Sequence, residues 1–159
     1  MLFTEQDLTY MQFVINKTKE GIEKGNWPFG ACIANGERAV SVAHNVVLAT
    51  HDPTAHAEIN AIRQACAQLM TTDLSDHVIY TSSAPCPMCF AAIYWSGIKR
   101  IVYGLLPEDY SILGFTGFII LPEKLAEIGQ LDIKIEGGLM KTENQALIAL
   151  YYRKYGKVY

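Results

Sequence analysis

The sequence has no excess of basic residues. Its 159 residues include 13 Lys and Arg against 16 Asp and Glu, which gives a formal net charge of −3 at pH 7. Proteins that bind nucleic acid backbones concentrate Lys and Arg on one face, because phosphates are neutralised by cations. The two basic pairs, Lys99-Arg100 and Arg153-Lys154, are too few and too far apart to form such a face. A polyanion is therefore disfavoured as a partner.

Long apolar runs are also missing. The longest are far shorter than the roughly 20 residues that a membrane-spanning helix needs. The first ten residues contain Glu5 and Asp7 instead of the positively charged start of a signal peptide. We therefore expect a cytoplasmic protein without a membrane segment. Half of the residues are hydrophobic, which is enough for the core of a single domain over residues 1–159.

Cysteine is scarce, with only four in the chain. Two of them, Cys86 and Cys89, stand in a C-x-x-C spacing within Pro85-Cys86-Pro87-Met88-Cys89. In an intracellular chain this spacing favours metal binding over disulfides. Cys32 and Cys66 have no such partner, and we expect them to be ordinary core residues.

Helical and strand patterns alternate along the chain. Helical spacing of apolar residues predicts helices over residues 4–25, 52–69, 86–97, 123–128 and 143–155. Strands are expected at 31–34, 39–44, 77–81, 99–103 and 132–136, with a hairpin turn at Asn35-Gly36 and a loop at 45–51. This alternation predicts a layered α/β domain in which the later strands run parallel.

The second helix follows a capping pattern. Asp52 is expected to cap its start and Pro53 to occupy its first position, where the missing N–H of proline costs nothing. The apolar residues at helical spacing predict the buried stripe of this helix: Ile59, Ile62, Cys66 and Leu69.

The combination of residues that indicates a catalytic metal site is His56, Cys86 and Cys89. One imidazole and two thiols are the donor set of a catalytic zinc site, in which three protein ligands leave the fourth position to water. All three lie at the start of predicted helices, where the partial positive charge favours thiolate. A structural zinc would need a fourth ligand, and the other histidines, His44, His51 and His77, lack the spacing to supply it.

Glu58 is the fourth functional group of this constellation. It follows His56 by two positions, and residues so spaced do not share a helix face. The two side chains converge only if the metal lies over the end of the helix. Together, the residues match the H-x-E…P-C-x-x-C signature of zinc nucleobase deaminases.

The chain resembles the cytidine-deaminase fold superfamily, and within it the small bacterial guanine deaminases. The stretches that carry the resemblance extend over most of the chain: Pro28-Phe29-Gly30-Ala31, Asn45, His51-Asp52-Pro53-Thr54-Ala55-His56-Ala57-Glu58, Tyr80-Thr81-Ser82, Pro85-Cys86-Pro87-Met88-Cys89, Ala92-Ile93-Tyr94-Trp95 and the aromatic ending 154–159. The resemblance implies a three-layer α/β/α fold with a central mixed five-stranded sheet. It also implies a hydrolase of purine metabolism that converts guanine to xanthine and ammonia.

The resemblance assigns roles to the constellation. His56, Cys86 and Cys89 would bind one Zn²⁺ per subunit. Glu58 would carry protons between water and base.

Further residues are implied at the base itself. Asn45 would hydrogen-bond it and Phe29 would stack on it, with Ala57 and Trp95 also among the substrate-binding residues. The resemblance further implies a homodimer, in which the swapped C-terminal segment of one subunit covers the site of the other. Tyr159 would then act as a lid in trans.

Two departures from the family pattern leave the substrate open. Ala84 stands where the family commonly has Glu before Pro-Cys, and no acid follows Phe115 in Gly114-Phe115-Thr116-Gly117. In the guanine branch a carboxylate there reads the N1–H and 2-amino donors, so another acceptor is needed; the nearby acids are Glu108, Asp109 and Glu143. The alternatives are a deaminase of cytosine, cytidine or a triazine, a tRNA adenosine deaminase, and a zinc-binding module without catalysis.

Overall fold

The computed structural model describes residues 2–115 and 118–158. Its first helix, α1 (Glu5–Glu23), begins at a capping box. The Thr4 hydroxyl accepts a hydrogen bond from the Asp7 N–H at 3.1 Å, and the Asp7 carboxylate accepts one from the Thr4 N–H at 2.9 Å. Each side chain thus satisfies a backbone donor of the first turn. The helix predicted from Thr4 is confirmed.

Five strands form one mixed sheet in the order β2-β1-β3-β4-β5. They are β1 (Gly30–Asn35), β2 (Arg38–His44), β3 (Val78–Ser83), β4 (Arg100–Leu105) and β5 (Lys134–Gly137). β1 pairs antiparallel with both β2 and β3, while β3, β4 and β5 run parallel. The predicted hairpin is present, but its turn is Gly36-Glu37, because Asn35 already pairs with Arg38 in the sheet.

Helices cover both faces of the sheet. One core joins it to α3 (Ala57–Leu69), α4 (Pro87–Trp95) and α5 (Pro122–Gly129). The other core joins it to α1 and α6 (Lys141–Tyr155). The predicted three-layer α/β/α fold with a mixed five-stranded sheet is confirmed. Within the described residues, no helix is both long and apolar enough to cross a membrane.

Two segments before α3 differ from the expectation. The predicted loop at 45–51 contains a short helix, α2 (Val47–Thr50). The prediction that Asp52 caps the next helix is wrong, because α3 begins at Ala57 with His56 as its N-cap residue. The Asp52 carboxylate instead accepts hydrogen bonds from the N–H and hydroxyl of Thr54, at 2.8 and 2.7 Å. This local turn occupies the side chain that capping would have required.

The buried face of α3 also differs from the predicted stripe. Alanines make up its apolar part: Ala57, Ala61 and Ala65. The predicted residues Ile62, Cys66 and Leu69 are only partly buried and pack beside this core, and Ile59 is half-buried. Small side chains let the helix lie close to the sheet, so the larger residues are displaced to its flanks.

A buried ion-pair network ties α1 to the sheet. Asp7 is 1% exposed, and Arg100 on β4 donates to both of its carboxylate oxygens, at 2.8 and 3.0 Å. The Tyr80 hydroxyl donates to Asp7 at 2.7 Å, and the Arg100 Nε donates to Glu136 on β5 at 2.7 Å. Burial alone would raise the pKa of Asp7, but the hydrogen bonds from Arg100, Thr4 and Tyr80 outweigh it and hold the pKa well below its usual range.

Asp7→Asn should lower the free energy of unfolding at pH 7 by about 3 kcal/mol, because it leaves Arg100 partly unpaired. Since the folded pKa of Asp7 is depressed, its contribution is complete above the ordinary Asp pKa of about 4 and declines as the pH falls further. Urea unfolding between pH 3 and pH 7 measures both effects. The matched variant Asp132→Asn, at an exposed residue, should change little; an equal effect of the two substitutions would contradict the role of the network.

Candidate active site

Three ligand atoms meet at one point, beside the carboxyl end of β3. The Nδ1 atom of His56 lies 3.7 Å from the Cys86 sulfur and 3.5 Å from the Cys89 sulfur. All three donor atoms lie within 4.8 Å of one another, and they form the metal-binding group found among the described residues. In open α/β sheets, ligands bind outside the carboxyl ends of the strands.

The spacing of these atoms fits zinc. Typical Zn–N and Zn–S bonds in a tetrahedral site place an imidazole nitrogen about 3.5 Å from a thiolate sulfur. The two observed N–S separations agree with this value. The donors would therefore need little rearrangement to hold a single zinc ion.

These three donor atoms lie at the starts of two helices. His56 and Cys86 are the N-cap residues of α3 and α4, each with extended backbone geometry, and Cys89 lies in the first turn of α4. Pro87 at the first position of α4 fits the helix without a missing hydrogen bond. The positive ends of both helix dipoles thus stabilise negative charge on the thiolates.

The two cysteine thiols have pKa values shifted in opposite directions. The hydrogen bond from the Cys89 thiol lowers the pKa of Cys86 to about 4, with His56 and the Cys89 N–H contributing in the same direction. The same contact with Cys86 raises the pKa of Cys89 well above its usual value, and burial adds to this. One thiolate is therefore already formed at neutral pH, and a dication would draw the proton from the second.

Glu58 faces the ligands from the first turn of α3. It is 7% exposed, and its carboxyl group interacts with the Cys89 sulfur. Burial raises the pKa of Glu58, although the charge of His56 opposes this. The expected convergence of His56 and Glu58 is met because His56 precedes the helix, so the site lies over the helix end.

A cavity of about 280 Å³ opens in front of these residues. Aromatic rings form one wall: Phe29 lies 5.4 Å from Tyr110 and 5.5 Å from Phe115 between ring centroids, and Trp27 lies 5.5 Å from Phe115. Among the described residues, the following line the cavity: Trp27, Phe29, Asn45, His56, Glu58, Ser83, Ala84, Cys86, Tyr110, Phe115, Phe118 and Ile119. Such a slot suits a flat, partly polar ligand.

Of the five predicted substrate residues, the structure describes four, and two of these line the cavity. Asn45 and Phe29 line the cavity. Asn45 is 2% exposed, and its side-chain oxygen accepts from the Val47 N–H at 3.0 Å. Its amide N–H groups donate to no other described residue and can therefore serve a ligand. Ala57, the first residue of α3, is fully buried, and Trp95 is 80% exposed at the end of α4; neither lines the described part of the cavity. Tyr159 lies outside the described residues.

The acids considered as replacements do not reach the cavity. Glu108 and Glu143 are exposed. Asp109 accepts hydrogen bonds from the Leu106 N–H, Lys141 and Gln145 instead. Among the residues that the structure describes, Glu58 is the one carboxylate lining the cavity.

Sequence reasoning also missed several residues that line the cavity. They are Trp27, Ser83, Tyr110, Phe118 and Ile119. They come from separate segments of the chain and carry no spacing signal, although the aromatic content of residues 110–118 was a usable hint.

Comparison with known families agrees with the site. Residues 4–105 match the model of the cytidine and deoxycytidylate deaminase zinc-binding region. The chain belongs to this family. It is therefore a zinc-dependent aminohydrolase, and the His56, Cys86 and Cys89 group fits one Zn²⁺ per chain. The family, enzyme class and cofactor predicted from the sequence are confirmed.

Relatives in this family act on different substrates. The chain is 39% identical to the guanine deaminase of Bacillus subtilis over 116 residues, which cover 72% of this chain and 74% of that one. It is also 36% identical to a tRNA-specific adenosine deaminase of Aquifex aeolicus over 101 residues, which cover 64% and 67%.

A solved structure extends the likeness over nearly the whole chain. The guanine deaminase from Nitrosomonas europaea superposes with a TM-score of 0.84 at 27% identity, over 92% of this chain and 84% of that one. The similarity thus extends well beyond residues 4–105, which match the family model.

Cys86→Ala should reduce bound zinc well below one per chain and lower the melting temperature, because metal binding also stabilises the fold. Metal analysis of the dialysed protein and a thermal melt measure these effects. Cys66→Ala is the matched control, since Cys66 lies outside the metal-binding group. Full zinc occupancy in Cys86→Ala would show that the ligand assignment is wrong.

Proposed function

We propose that the protein hydrolytically deaminates guanine to xanthine and ammonia. The observation that carries this proposal is the aromatic slot that ends at His56, Cys86 and Glu58. A flat base can pack against these rings with the carbon of its amino group facing the metal-binding group. The relatives named guanine deaminase, at 39% identity in sequence and a TM-score of 0.84 in structure, support guanine as this base.

The small size of the cavity and the net negative charge of the chain favour a free base over tRNA as the substrate. A cavity of about 280 Å³ is at the small end for ligand sites. A tRNA would also need a basic surface for its phosphates, whereas the chain has a net charge of −3. Deamination of a tRNA adenosine remains the second candidate because relatives with that activity share the family.

The reaction replaces the amino group at C2 of guanine by oxygen from water. When bound, zinc supplies the Lewis acidity that makes water nucleophilic near neutral pH. Glu58 accepts a proton from the attacking water and delivers it to N3, the unprotonated ring nitrogen beside C2. It then transfers the second proton to the departing amine, so that guanine and water become xanthine and ammonia.

The surroundings of Glu58 suit this proton transfer. Its burial raises its pKa toward the working pH, where a carboxyl group exchanges protons most efficiently. Asn45 supplies an amide donor to the base, and Phe29 packs against its face. Contacts from Ala57, Trp95 and Tyr159 stay predictions, since the single chain does not bring the first two to the cavity.

We further propose that the protein is a homodimer. Trp95 is 80% exposed and Tyr94 46% exposed, and their rings contact each other 5.6 Å apart on α4, so a second copy would cover an aromatic surface. Within one chain, α6 packs against α1, where the Tyr155 hydroxyl donates to the Ile22 carbonyl at 2.8 Å. A swapped C-terminal segment would have to make this contact between subunits.

Purified, zinc-loaded protein incubated with guanine should produce xanthine and ammonia in equal amounts. Chromatography of the base and an enzymatic ammonia assay measure the two products. Cytosine, cytidine, adenine and tRNA serve as parallel substrates. Ammonia from one of these but none from guanine would contradict guanine as the substrate while leaving the deaminase chemistry intact.

Glu58→Gln should lower kcat by about 10²- to 10⁴-fold, because it removes the group that transfers protons. Zinc content should stay at the wild-type level, since Glu58 is not one of the three ligands. Steady-state kinetics and metal analysis separate these two properties. Glu23→Gln, at an exposed position on α1, is the matched control; near-normal turnover by Glu58→Gln would contradict the assignment.

A further inference from the structure

The O6–N1 edge of guanine needs a polar partner in the cavity. In the reacting pose, C2 faces the metal-binding group and Glu58 serves N3. The acid expected after Phe115 is absent from the sequence, and Glu58 is the one carboxylate lining the described part of the cavity. A buried polar edge left unpaired would cost binding and discrimination.

Tyr110 lines this cavity, and the charges of Glu58 and Cys86 at the metal-binding group act on its phenol. It lies on a 3₁₀ helix, Pro107–Leu113, but its own φ and ψ of −122° and 21° depart from helical values. Its ring contacts Phe29 at 5.4 Å and Phe115 at 6.0 Å, both edge-to-face. Within the described residues, no hydrogen bond engages the Tyr110 hydroxyl.

The segment around Tyr110 is anchored on both sides. Asp109 accepts from the Leu106 N–H at 2.9 Å and pairs with Lys141 of α6 at 2.9 Å. The Leu113 carbonyl accepts from the Val158 N–H at 2.8 Å. The last helix and the residues after it thus fix the 3₁₀ helix at two points. A side chain held in this way can read a substrate with little conformational cost.

We propose that Tyr110 determines base specificity by reading the O6–N1 edge of guanine, donating its hydroxyl proton to O6. The inference rests on the proposed function, because it assumes a purine with C2 at the metal-binding group. The phenol would pair with O6, whereas the carboxylate that the resemblance leads one to expect after Phe115 would accept from N1–H.

The chemistry of the phenol suits this contact. Burial raises the pKa of Tyr110 well above its usual value, and the charges of Glu58 and Cys86 raise it further. The hydroxyl therefore keeps its proton at neutral pH and donates to an acceptor such as O6. A carboxylate at the same place would accept from N1–H but repel the O6 lone pairs.

Hypoxanthine and purine test this contact without turnover. Both lack the amino group that is hydrolysed, and only hypoxanthine carries O6 and N1–H. Calorimetry of the zinc-loaded protein should show that Tyr110→Phe weakens hypoxanthine binding roughly tenfold, the loss of one hydrogen bond. Purine binding should change less than twofold, because the ring contacts of residue 110 are retained.

Tyr152→Phe is the matched control, since Tyr152 lies at the surface of α6 away from the cavity. Equal weakening of both bases by Tyr110→Phe, or wild-type protein that binds hypoxanthine no better than purine, would overturn the proposal. Guanine turnover by wild-type protein is measured in a separate assay, which tests the proposed function. Failure of guanine deamination with the hypoxanthine effect present would refute the proposed function and leave the Tyr110 contact standing.

Discussion

The structure depends on two helix N-termini that meet at one point. His56 and Cys86 stand just before α3 and α4, and both helices pack on the same face of the sheet. Two thiolates and a buried carboxylate would repel one another in a neutral interior. The helix dipoles, the imidazole and the expected dication compensate this charge. The alanines on the buried face of α3 let that helix pack close to the sheet, and this packing fixes where the two helix N-termini meet.

The cavity draws on both helical layers of the fold. The metal-binding group belongs to the layer of α3 and α4. The aromatic wall belongs to the other core, which α1 and α6 complete, and which includes Phe29, Tyr110 and Phe115. The Asp7–Arg100 network fastens α1 to β4 within this second layer. A ligand in the cavity would therefore contact elements that are far apart in the sequence, with the metal-binding group on one side and the aromatic rings on the other.

Sequence patterns succeeded where the determining interactions are local. The capping box at Thr4, the hairpin near Gly36 and the C-x-x-C spacing at the start of α4 each depend on residues a few positions apart. The start of α3 was predicted wrongly because two local interactions competed for Asp52. The sequence favoured a helix cap, whereas the folded chain uses the side chain in a turn.

By itself, the sequence determined the donor set, the acid beside it and the layered α/β class. Residue type fixes which atoms can bind zinc, and periodicity fixes which segments become helices and strands. Tertiary structure alone decided which residues line the cavity. Tyr110 and Trp27 both line the cavity although they lie more than 80 positions apart in the sequence. Trp95, in contrast, is exposed at the surface although it belongs to a stretch that carries the family resemblance. Contacts of this kind follow from how the two helical layers close on the sheet, and no periodic pattern encodes them.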